Sequence, residues 1–154
     1  MNPFVELVSG SQSDWLGGLP EFQRNSIDEL LRSGKDPSQI AEAWLEAGAA
    51  MNTAPFGTSS GAKIFFNHFL DELHDLLCAE GRRENERASV LASFKKGQTT
   101  AVAAVTTAVS PYLSSAPAFL APAVALIMCA ISSVGLAAWC KTQTERRQNK
   151  ELES

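Results

Sequence analysis

Apolar residues return at helical spacing along the first 96 residues. Phe22, Ile27, Leu30 and Leu31 suit one face of a helix that Pro20 can open and Gly34 can stop, running to about Ser33. Asp36-Pro37-Ser38-Gln39 then supplies an N-cap, a proline at the first helical position and a capping-box partner. The helix it starts, Pro37 to about Ala50, is predicted to bury Ile40, Ala43, Trp44 and Ala47 and to form a helical hairpin with its predecessor. Asn52–Gly61 is rich in turn residues and predicts a loop. Ile64, Phe65, Phe69, Leu73, Leu76 and Leu77 form an apolar stripe on a third helix, about Ala62–Ala79, which Gly81 interrupts. A fourth, Arg83–Lys96, puts Val90, Leu91 and Phe94 on one side. Four helices of this length bury only a small core, so stabilisation by a partner or by self-association is expected.

The pattern changes character at Gly97. All 30 charged residues lie in 1–96 or 141–154, and the 44 residues Gly97–Cys140 hold none. At ordinary globular usage about eight would fall there, which argues against a soluble domain with an evenly patterned surface. Pro122–Cys140 is apolar but for Ser132 and Ser133; as a helix it covers roughly 28 Å, close to the roughly 30 Å of a bilayer's hydrocarbon core. Gly97–Ser115 carries four Thr and three Ser, with Pro111 near its end, and reads as a second, polar-faced span, a re-entrant segment or an interfacial one, with the turn to the next half around Ser114–Pro117. Lys95 and Lys96 precede the region and Lys141, Arg146, Arg147 and Lys150 follow it. Basic flanks prefer the cytoplasmic side, so the chain is expected to cross twice with both termini cytoplasmic at the inner membrane. Tyr112 and Trp139 would serve, with Lys95, Lys96 and Lys141, as interface anchors.

The fold class that follows is all-α. It comprises a small cytosolic helical bundle (1–96) for sensing or docking, a C-terminal transmembrane helical hairpin (97–140, with halves 97–115 and 117–140), and a charged cytosolic tail (141–154). Ala121, Ala125, Cys129, Ser133 and Ala137 recur every four residues and predict a close-packing seam between membrane helices. Thr99, Ala103, Thr106, Thr107, Ser110 and Ser114 predict a hydroxyl-rich face that lines a pore or bonds to a neighbouring helix.

Chemistry has few footholds. Three cysteines (Cys78, Cys129, Cys140) form no C-x-x-C pair and fit a reducing compartment without a disulfide framework. The first residues lack the basic and apolar regions of a signal peptide, which again suits the cytosol. His68, Glu72 and Asp75 share a helix face, with Asp71 and His74 beside it, so a two-ligand metal grip is conceivable. These are more simply the wet side of an amphipathic helix, His68 and His74 included. Ser33-Gly34-Lys35-Asp36 lacks the glycine and the Ser or Thr of a phosphate loop, and Trp15-Leu16-Gly17 is too short to carry meaning. No enzyme, metal or cofactor is expected, and a net charge of −4 gives no pull toward nucleic acid.

The leading expectation is a membrane effector. Its hairpin oligomerises in the lipid bilayer to perforate or depolarise it, gated by the N-terminal helices and a protein partner. By analogy of architecture alone, this layout suits an effector of bacterial abortive-infection defence. The alternatives are a holin-like or channel component in which residues 1–96 are dispensable, and a passively membrane-anchored helical binding module.

Overall fold

The structure, a computed structural model, describes residues 2–53, 59–78 and 83–153. The described residues are all helical or in turns, with no strand among them. Helix α1 (Gln12–Leu16) starts from a reciprocal cap: the Asp14 N–H donates to Ser11 Oγ at 3.2 Å and the Ser11 N–H to Asp14 Oδ2 at 2.9 Å. The Ser11 N–H, and after it the Ser11 hydroxyl, hold the Asp14 carboxyl below its usual range. Helices α2 (Glu21–Arg32) and α3 (Pro37–Thr53) occupy the expected stretches, and the Asp36 N–H reaches the Gln39 side chain at 3.3 Å as a capping box requires. Their buried faces differ from those expected: Ile27 and Ile40 are buried, but Phe22, Leu30, Ala43 and Ala47 are exposed, and Ala41 and Leu45 enter the core instead. Helix α4 (Ser59–Leu77) carries the aromatic and leucine stripe. The centre of the expected loop, residues 54–58, and the break at Gly81 lie outside the described residues. Helix α5 (Glu84–Phe94) follows.

The uncharged region forms α6 (Gln98–Leu113) and α7 (Pro117–Val134), and the charged C-terminus is a helix too, α8 (Leu136–Glu153). Proline opens α7 at its first position, where no N–H is missed. Gly135 closes it at φ +90 and ψ 142, a conformation open to glycine alone. The expected span Pro122–Cys140 is therefore not one helix. Its last residues turn away at Gly135 into α8, and the apolar helix begins earlier, at Pro117.

One apolar core unites the chain. It includes Phe4, Trp15 and Leu16 from the N-terminal segment, Leu45 from α3, Phe69 and Leu73 from α4, Phe94 from α5 and Val105 from α6. In α7, Leu120, Pro122–Cys129 and Ile131 are buried on every side, the signature of a central helix. Helix α3 packs along it most extensively, then α6, then α1. Only Pro117–Val134, with a mean hydropathy of 2.0, is long and apolar enough to cross a membrane among the described residues, and 56% of it is buried inside the bundle. The expected hairpin of two spans thus reduces to one candidate span. Helix α6 has 16 residues and keeps Thr100, Ala103 and Thr107 exposed.

Candidate functional site

The distinctive feature is the central apolar helix and the contacts that keep it there. Two tryptophans tie α7 by hydrogen bonds at opposite ends. Trp15 Nε1–H donates to Ser132 Oγ at 2.8 Å, and Trp44 Nε1–H to the Phe119 carbonyl at 3.0 Å. Trp15 is almost fully enclosed and sits 6.3 Å from the Phe94 ring, which itself meets Phe4 edge-on at 5.3 Å. Because Trp15 touches both Phe94 and Ser132, the start of α6 and the end of α7 lie together. Lys95 and Lys96, which precede α6, are exposed, as is Lys141 in α8. Gly18 seats this N-terminal segment on α6, since a Cβ there would come within 2.6 Å of Thr99 Cγ2. Trp15 and Leu16 of the Trp-x-Gly tripeptide, meaningless as a motif, are thus core residues, while the glycine that packs on α6 is the next one, Gly18. Enclosed tryptophan N–H groups need partners, which was its one legible hint.

The five small residues do not form one exposed stripe. Ala125 and Cys129 are buried inside the bundle, Ala121 is half-buried, and Ser133 and Ala137 are exposed, Ala137 already on α8 beyond the bend. The hydroxyl set divides likewise. Thr106 and Ser110 face inward, bonded to the Val102 and Ser115 carbonyls at 2.6 and 2.5 Å, whereas Thr99, Ala103, Thr107 and Ser114 face out. Of the two aromatic anchors, Tyr112 is half-exposed with its hydroxyl donating to Glu86 at 2.7 Å, while Trp139 is buried in the core.

The second feature is the α4–α8 seam, built from residues read above as a wet face and a charged tail. Arg146 Nη2 lies 2.5 Å from Asp71 Oδ1, and Arg147 Nη1 lies 2.8 Å from Asp75 Oδ1. Glu72 pairs with Arg83 at the start of α5. Arg147 Nη1 also donates to His74 Nδ1 at 3.0 Å; arginine has no acceptor, so the imidazole is neutral with its proton on Nε2, which donates to Thr144 Oγ1 at 3.0 Å. Burial, then the Arg147 charge, hold the His74 pKa below its ordinary value. Asp71, Glu72, His74 and Asp75 are accordingly half-buried, not a solvated face, and only His68 is exposed. Among the described residues no group of three His, Cys, Asp or Glu side chains could hold a metal ion.

A disulfide completes the seam and corrects the expectation of three free thiols. Cys78, just past α4, bonds Cys140 in α8, with Cα atoms 5.7 Å apart and 62 residues between them in sequence. Motif spacing could not show this, because antiparallel packing of α4 on α8 creates the proximity. Cys129 alone is free and buried. A cleft of about 750 Å³ opens beside the α7–α8 bend, between Pro37 and Ser38 at the start of α3 and Val134, Trp139 and Gln143.

No family model, curated protein or solved structure matches the chain.

Proposed function

We propose that this protein is a membrane-perforating effector, kept folded with its apolar helix at the centre of the bundle and activated when that helix is delivered to a bilayer. The observation that carries the reading is α7 itself: an 18-residue helix with a mean hydropathy of 2.0, no charge, and length enough to span, held inside a coat of helices. Helix α6 follows it as the polar-faced half of the hairpin. Inserted copies associate, with the outward Thr99, Ala103, Thr107 and Ser114 turned to a water-filled pore. Lys95, Lys96 and Lys141, basic residues on either side of the hairpin, keep both flanks on one side of the membrane. The outer helices and a protein partner would set when insertion occurs, as in an abortive-infection effector.

Vesicles loaded with a self-quenched dye test this. Protein brought to its open state is expected to release the dye and to resist carbonate extraction. Vesicles that stay intact under native, reducing and mildly acidic conditions would sink the proposal. The second reading, a water-soluble binding module whose α7 is simply its core helix, would then stand, and the 56% burial of α7 favours it.

A further inference from the structure

We propose that α7 and α8 form an arm hinged at Gly135 and held shut by the Cys78–Cys140 bond, and that a dithiol reductant opens it. This rests on the perforation reading above and supplies its trigger. Two independent observations meet here. The first is the bend: Gly135 stands at φ +90 with no atom within 4 Å of where a Cβ would be, so tight packing does not impose the turn. Uncharged chain continues past it to Cys140, and a straightened helix from Pro117 would present 24 uncharged residues, roughly 36 Å. The bend hides that length by folding α8 back over α4.

The second is how α8 is fastened. It is joined to α4 by a disulfide, by ion pairs of Arg146 and Arg147 with Asp71 and Asp75, and by the hydrogen bonds of His74 to Thr144 and Arg147, while among its described residues the buried apolar side chains are Leu136 and Trp139 in its first turns. Cys78 and Cys140 are only half-buried, so a small thiolate can reach them. One thiolate of the dithiol attacks a sulfur of the pair, breaking the S–S bond and forming a mixed disulfide. Its second thiolate then displaces the remaining protein sulfur. Two electrons pass to the protein, the dithiol closes into its own disulfide, and two protons end on Cys78 Sγ and Cys140 Sγ. With the loop closure lost, the remaining ion pairs are partly exposed and weak, and the arm can straighten.

The experiment compares oxidised and dithiothreitol-reduced full-length protein by hydrogen exchange in solution and by dye release from vesicles of phosphatidylethanolamine and phosphatidylglycerol. Reduction is expected to raise the open population on the order of 100-fold, seen as faster exchange along 141–149, and to start dye release. Gly135→Ala, which disfavours the bent form, should lower the reductant needed and does not depend on a cysteine variant folding. Unchanged exchange along 141–149 after reduction would overturn the hinge and latch. Substantial dye release, equal in both redox states, would also overturn the latch while leaving perforation standing. Faster exchange with no dye release would support the latch and remove the perforation reading instead.

Discussion

Helices α7 and α8 are consecutive, each 18 residues long, and separated by a single glycine, yet they are held by opposite kinds of force. The middle of α7, Pro122–Cys129, is buried all round by apolar contacts, which are strong in sum and have no chemical off-switch. Helix α8 is fastened by one covalent bond and by charge pairs whose side chains remain 14–33% exposed. The element long and apolar enough to cross a membrane is thus fixed by burial, and the element fastened by a reducible bond and charge pairs sits at its end. Stability and control are divided between neighbours.

The comparison breaks most readily at the covalent bond. Reducing Cys78–Cys140 in water should lower unfolding stability by about 4 kcal/mol, from the loop-closure entropy of a 62-residue separation. A urea titration of oxidised against reduced protein measures it. An unchanged midpoint would mean that α8 is held by something other than the bond.

A cut into α7 should cost nearly as much through a different route. Leu126 is fully enclosed, so Leu126→Ala loses transfer energy and leaves a cavity, about 3 kcal/mol. The loss should appear equally in oxidised and reduced protein, because the site lies in the core and not on the latch. If it vanished on reduction, the two helices would open as one unit and the distinction drawn above would fail.

Smaller effects come from the polar fastenings. Trp15→Phe keeps the ring among Phe4 and Phe94 but removes the donor to Ser132, leaving that hydroxyl to find another partner, at a cost of about 1 kcal/mol. Arg146→Gln breaks the Asp71 pair at the α4–α8 seam, again about 1 kcal/mol given its partial exposure. Raising the salt concentration should erase the second difference and spare the first, which thermal melts at two ionic strengths can read.

The sequence made the regular helices legible because their signals are local. Proline and a cap mark α3, a stripe marks α4, and the absence of charge marks α6 and α7. What it hid depended on residues far apart. The apolar run Pro122–Cys140 is continuous in hydropathy, so a bend at one glycine left no trace in it. Asp71 and Asp75 read as solvated because no Lys or Arg lies within a helical turn of them; their partners lie about 70 residues onward, in a segment that looked like a tail. The same separation concealed the disulfide. An uncharged helix also says the same thing whether lipid or protein surrounds it, so α7 could be found from sequence while its surroundings could not.

The smallest expected effect is also the one that tests the seam most finely. In the docked state His74 Nδ1 accepts from Arg147, and an imidazolium at that place would turn a second donor and a second positive charge toward both arginines, Arg146 and Arg147, offset in part by Asp71 and Asp75. Docking therefore favours the neutral ring, and the released arm binds the proton more readily. With the docked pKa depressed, this contribution is complete above the ordinary value of about 6.5 and is lost as pH falls through it toward the lower docked value. Exchange along 141–149 should thus quicken as pH falls below the ordinary imidazole value, more visibly once the disulfide is reduced. His74→Gln, which can still accept from Arg147 and donate to Thr144 but cannot titrate, should flatten the dependence. A pH response that persists in the variant would place the sensing group elsewhere and leave the disulfide as the arm's only chemical control at this seam.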